Sequence, residues 1–132
     1  MKIIDFYSGF EGETEINIYS SNIQLKIWNG YFEPIMNILF DLEIAYLGKT
    51  FGIVSQWNTC TNWAGDFEKT KIDDLDREIA IWHKVDLSKL DDKKYHYISD
   101  EWKEEIKKVF LAILALFENA KLKGETVYIE EY

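Results

Sequence analysis

The sequence predicts an α+β fold: a mostly antiparallel sheet of about five to six strands with two packed helices, near residues 31–47 and 100–123. Three observations carry this. The first thirty residues alternate polar and apolar side chains at period two. Residues 31–47 repeat at three and four and are followed by Gly48. A broad apolar stripe then runs between Ser99 and Gly124, the longest periodic stretch in the chain. At 132 residues the chain suits one domain spanning 1–132, and 47% hydrophobic and 16% aromatic residues supply its core.

Taken in order, Lys2–Tyr7, Glu13–Tyr19 and Asn22–Trp28 read as strands joined by the turn residues Ser8–Gly12 and Ser20–Asn22, which predicts an antiparallel meander. In the third strand Ile23, Leu25 and Ile27 share the core face, and Gln24, Lys26 and Trp28 share the other. Ile35, Ile38, Leu39, Leu42 and Tyr46 mark the first helix, with Pro34 in its opening turn. Phe51–Trp57 reads as a further strand, as does Glu78–Val85, where Ile79, Ile81, His83 and Val85 alternate with Ala80, Trp82 and Lys84. Leu87–His96 is a charged connector. Ser99 is placed to cap the long helix, whose stripe comprises Trp102, Ile106, Val109, Phe110, Ile113, Leu114, Phe117 and Ala120. Glu125–Glu130 closes the chain as a last strand.

Charge narrows the partners. Fifteen basic against 24 acidic residues give a net −9, which repels the phosphates of nucleic acid and of anionic membranes. The longest apolar run, Val109–Phe117, is short of the ~20 residues that span a bilayer. The first residues lack the uninterrupted apolar stretch of a secretory signal, and a lone Cys60 forms no internal disulfide, so a reducing, cytoplasmic setting is expected.

No combination of residues singles out a reaction. His83, on the apolar phase of its expected strand, reads as a core or interface histidine rather than a general base, and His96 reads as solvated. Cys60 has only Asn58, Thr59, Thr61 and Asn62 around it, with no cation to lower its pKa. One cysteine and two distant histidines do not make a zinc site. The acidic run Asp73–Glu78 lacks the glycine and the spaced glutamate of a calcium loop. No catalytic residue, metal or cofactor is expected, and the chain reads as a binding protein rather than an enzyme.

What stands out is the mixture of aromatics and acids from Trp57 to Trp82. Trp57, Trp63, Asp66, Glu68, Asp73, Asp74, Asp76 and Glu78 are the candidate partner-binding residues, because aromatics dominate interface energy and acids select a basic partner. Size, acidity and the tryptophan-rich stretch 51–67 resemble the small immunity proteins that accompany bacterial polymorphic or contact-dependent growth inhibition toxins. That resemblance implies a protein that binds a cognate toxin, often a basic nuclease, and blocks its active site. Two other readings stay open. One is a small-ligand domain or enzyme with a pocket lined by Trp57, Trp63, Tyr95 and His83. The other is a structural subunit, monomer or homodimer, that pairs through the edge of Glu125–Glu130.

Overall fold

The computed structural model describes residues 1–61 and 69–132, the side chains of 59–61 excepted. It is an α+β fold. The strands are β1 (Lys2–Phe6), β2 (Glu15–Tyr19), β3 (Ile23–Trp28), β4 (Thr70–Lys71) and β5 (Tyr128–Glu131), and they form a five-stranded sheet in the order β1-β3-β2-β5-β4. The helices among the described residues are α1 (Asn29–Leu47), α2 (Gly52–Thr61), α3 (Leu75–Trp82) and α4 (Asp100–Lys123).

Three of the four strand pairings are antiparallel, and β1 lies parallel to β3. The expected meander is therefore corrected: β2 and β3 form the hairpin, while the connection after β1 carries the chain past β3. That connection turns at Gly9 and Gly12, at φ 98° and 96°. It is held from within, because the Asp5 carboxylate accepts the N–H groups of Tyr7 at 2.7 Å and Ser8 at 2.9 Å. The parallel register matches apolar with apolar, since Ile4 faces Leu25 and Phe6 faces Ile27. The row continues across the sheet through Ile16 and Ile18 of β2 to Ile129 of β5. On the other face Gln24 donates to Asn17 Oδ1 at 2.6 Å, and Asn17 donates to Glu15 Oε2 at 2.5 Å.

The two long helices form where the sequence places them. Ser99 Oγ accepts the N–H of Trp102 at 3.2 Å, Asp100 and Glu101 occupy the positive end of α4, and Gly124 closes it at φ 67°. Every member of the expected stripe is buried except Trp102, which is 38% exposed. Helix α1 starts two residues earlier than expected, at Asn29, so Pro34 sits in its second turn and has no N–H to offer the Gly30 carbonyl.

Two expected strands are helices. Residues 52–61 form α2 and residues 75–82 form α3, and both pack on the core rather than joining the sheet. In α3 the inward positions are Glu78, Ile81 and Trp82, so the alternation at 79, 81 and 83 has no structural role. His83 is the C-cap of α3 and its side chain is 57% exposed, 3.3 Å from Glu118 Oε1. Its expected inward place is thus corrected, because the strand phase that turned it inward does not exist. The connector 87–96 folds as two short 3₁₀ turns that bury Leu90 and Tyr95. No helix among the described residues is long and apolar enough to cross a membrane.

Candidate functional site

The acidic run divides once α3 forms. Asp73, Asp74 and Asp76 are exposed, and the last two are engaged within the chain. Asp74 Oδ1 caps α3 by accepting the Arg77 N–H at 3.0 Å, and Asp76 pairs with Lys121 of α4 at 2.6 Å. Glu78, two residues on, turns inward and is 1% exposed, while Trp57 lies in the core cluster. Neither is available to a partner, which corrects their placement on a contact surface. Trp63, Asp66 and Glu68 lie outside the described residues, as does the Cys60 side chain. Tyr95 is buried too, and the hollow it lines is built with α1 and with residues 84–94, so His83 and Trp57 do not share it.

Glu78 belongs to a buried junction. Its Oε1 accepts the Trp82 indole N–H at 3.1 Å, and its Oε2 accepts the Ile53 N–H at 3.4 Å. Glu43, from α1 and fully buried, accepts the Phe51 N–H at 2.8 Å through Oε1, and its Oε2 has no hydrogen-bond partner. Two carboxyls from α1 and α3 thus receive donors at the entry to α2, where a helix leaves N–H groups unpaired. Burial is the main cause that pushes Glu78 up from 4.5 to about 8, opposed by the Trp82 and Ile53 donors. It likewise pushes Glu43 up from 4.5 to about 7, opposed by the Phe51 N–H and the Arg77 charge. Raised carboxyls often mark active sites. Here both are enclosed by the fold, and their hydrogen bonds join α1 and α3 to the start of α2.

Gly52 makes the junction possible. It adopts φ +56°, and a Cβ placed on it would come within 2.0 Å of Glu78 Oε2. Gly52→Ala is expected to cost about 2–4 kcal/mol, the sum of backbone strain and a displaced carboxyl. Gly48→Ala is the comparison, since Gly48 has φ +72° with nothing within 4 Å of the added carbon. It should cost about 1 kcal/mol. Urea midpoints of the two variants test this, and equal losses would mean that Glu78 moves aside freely.

A second grouping combines exposure with aromatic and acidic character. Phe10 stacks on Trp28 with centroids 3.8 Å apart and planes at 2°. Trp102 meets the Trp28 ring edge-on at 4.8 Å, and Tyr31 does so at 5.0 Å. The four rings come from the β1–β2 connection, the end of β3, the start of α1 and the first turn of α4. Gly30 lets the Trp28 indole lie flat against the backbone, because a Cβ there would fall 2.3 Å from the ring. The indole N–H also donates to Glu13 Oε1 at 3.2 Å. Burial, and then the charges of Glu105 and Glu101, raise the Tyr31 hydroxyl above its ordinary pKa. Three carboxylates therefore surround the rings.

Family models, curated proteins and solved structures all return no match to this chain. Function must be read from its own surface. Among the described residues no group of three His, Cys, Asp or Glu side chains is placed to hold a metal ion. Sequence reasoning passed over the aromatic cluster, although it held two signals. Trp28 falls on the polar phase of β3, and Trp102 stands a full turn ahead of Ile106, the first buried residue of the α4 stripe.

Proposed function

We propose that this chain is an immunity-type inhibitor: it binds a basic bacterial toxin domain and blocks it, with the cluster of Phe10, Trp28 and Trp102 as the contact and Glu13, Glu101 and Glu105 as its acidic surround. The supporting observation is the stacked aromatic patch with Trp102 38% exposed beside carboxylates, on a chain of net charge −9. Rigid aromatics lose little entropy on docking and form the energetic centre of many interfaces. Carboxylates at the rim speed the approach of a basic partner and reject an acidic one. This moves the acid-and-aromatic surface from residues 57–82 to the other end of α4.

Paired affinity capture from the native host, with the wild-type chain and Trp102→Ala as baits, tests the reading. A basic protein retained by the wild type should be lost or weakened at least tenfold with Trp102→Ala, as for a central interface tryptophan. Replacing Glu13, Glu101 and Glu105 together by Gln should slow association and flatten its dependence on salt. Neutralising Asp73, Asp74 and Asp76 is the comparison arm. If only that arm weakens capture, the contact returns to α3, and an acidic partner would sink the proposal altogether.

A further inference from the structure

From a different part of the molecule we infer that the chain pairs with a second copy of itself through the outer face of α4, the two helices lying antiparallel. The buried stripe of α4 passes through Ile106, Ile113 and Phe117, and at about 100° per residue Ala115 stands half a turn away from the last two. On that outer side Leu111 is 58% and Leu122 85% exposed, with Ala115 exposed between them. A shallow hollow of about 570 Å³ runs over the same residues. Glu104, Lys108, Leu111, Ala115, Glu118 and Leu122 follow one another at alternating steps of four and three, the heptad spacing of a seam that meets another helix.

Charge selects the occupant and its direction. A parallel copy would set Lys108 on Lys108 and Glu118 on Glu118. An antiparallel copy centred on residue 113 sets each Lys108 against Glu118 of the other copy, gathers Leu111 and Ala115 of both copies at the middle, and lays each Leu122 on the stem of Glu104. The seam is therefore complementary to its own reversal, with an apolar centre between two ion pairs. Within one chain Lys108 meets Glu105 at 3.1 Å and Glu118 meets His83 at 3.3 Å. Both are surface pairs, which are worth little, and Lys108 and Glu118 stay exposed, so neither is withheld from a second copy.

The rest of the fold agrees with this placement. Strand β5 lies between β2 and β4, so the expected pairing edge at Glu125–Glu130 is already taken. Trp102 turns from α4 towards Trp28, so a copy on the outer face leaves the aromatic cluster open. In the antiparallel register residues 103–123 of the two copies overlap, over about 30 Å. One helix pair of this length falls below the roughly 1,200 Å² at which stable interfaces begin. Two chains of net charge −9 also repel, so the dimer is a micromolar one and needs salt to screen the repulsion.

Sedimentation velocity of the full chain in about 0.15 M salt, from about 5 to about 300 µM, tests this. The wild type should pass from monomer to dimer across that range. Leu111→Lys changes an exposed position, so it should keep the wild-type Tm and remain monomeric throughout. Lys108→Glu or Glu118→Lys alone should weaken the dimer about tenfold, because each places like charges together twice. Both exchanges in one chain, or a mixture of the two single variants, should restore it. A wild type still monomeric at the highest concentration would overturn self-pairing and leave the face to a foreign helix. A dimer that survives Leu111→Lys would lie elsewhere, as on the free edge of β1, and single exchanges without effect would overturn the antiparallel arrangement.

Discussion

Unfolding should become easier as the pH rises from about 4.5 to about 8, because Glu43 and Glu78 hold their protons in the folded chain well above the 4.5 of an ordinary glutamate. Between those limits the folded state binds more protons than the unfolded one, so stability falls with rising pH. The contribution is fully present below about 4.5 and is lost as the pH passes about 7 for Glu43 and about 8 for Glu78. Each pH unit over which one group differs is worth about 1.4 kcal/mol, so the two carboxyls make several kcal/mol depend on pH. That is a large part of the roughly 5–15 kcal/mol that holds a domain folded. Net repulsion in a chain of pI 4.7 pushes the same way, so wild type alone does not separate the causes. Glu43→Gln does. It keeps an acceptor for the Phe51 N–H and cannot ionise. Its urea midpoint should match the wild type near pH 5 and exceed it at pH 8. A wild-type midpoint that stays flat across this range would mean that Arg77 or a local opening already compensates the buried charge.

The same junction explains which elements the sequence revealed. Helices α1 and α4 carry their own signals: α4 has Ser99 before it, acids in its first turn and Gly124 after it, and α1 has its period and Gly48. Such ends are local chemistry and can be read in order. Helix α2 begins with Gly52-Ile53-Val54, which has no capping side chain of its own. Its donors go to Glu43 and Glu78, eight and 25 residues away in the chain. A cap supplied from that distance leaves no trace beside the helix it caps, and Phe51 and Ile53 then pass for the alternation of a strand. Helix α3 was hidden for the complementary reason. Glu78 reads as polar, yet it occupies the inward position that completes the helical set Leu75, Glu78 and Trp82.

Strand order followed a similar rule. Alternation gave the faces of β3 correctly, with Leu25 and Ile27 buried, but period two is the same for parallel and antiparallel neighbours. Only the pairing of Ile4 with Leu25 shows that β1 runs parallel. The aromatic cluster is harder still. Its rings come from positions 10, 28, 31 and 102, so their meeting is a product of the fold and not of any stretch of sequence. Acid-rich residues next to aromatics at 57–82 were the only such mixture visible in one dimension. Folding placed Trp57 and Glu78 inside and gave Asp74 and Asp76 partners within the chain.

Trp82 should be the residue whose loss costs most. It is fully buried, stacked on Phe110 at 4.9 Å and edge-on to Phe117 at 5.3 Å. Trp82→Ala removes these contacts, opens a cavity between α3 and α4 and takes a donor from Glu78. A loss of about 3–5 kcal/mol is expected, equivalent to a fall in Tm of roughly 10–20 °C. Trp82→Phe separates packing from hydrogen bonding. It keeps a ring against Phe110 but not the N–H, whose bond to Glu78 Oε1 favours the ionised carboxyl. Without that bond Glu78 holds its proton to still higher pH, so the variant should lose more stability at pH 8 than at pH 5. The slope of stability against pH therefore steepens in Trp82→Phe and flattens in Glu43→Gln. These opposite changes are what a titrating junction requires, and parallel lines for Trp82→Phe and wild type would show that the indole serves packing alone.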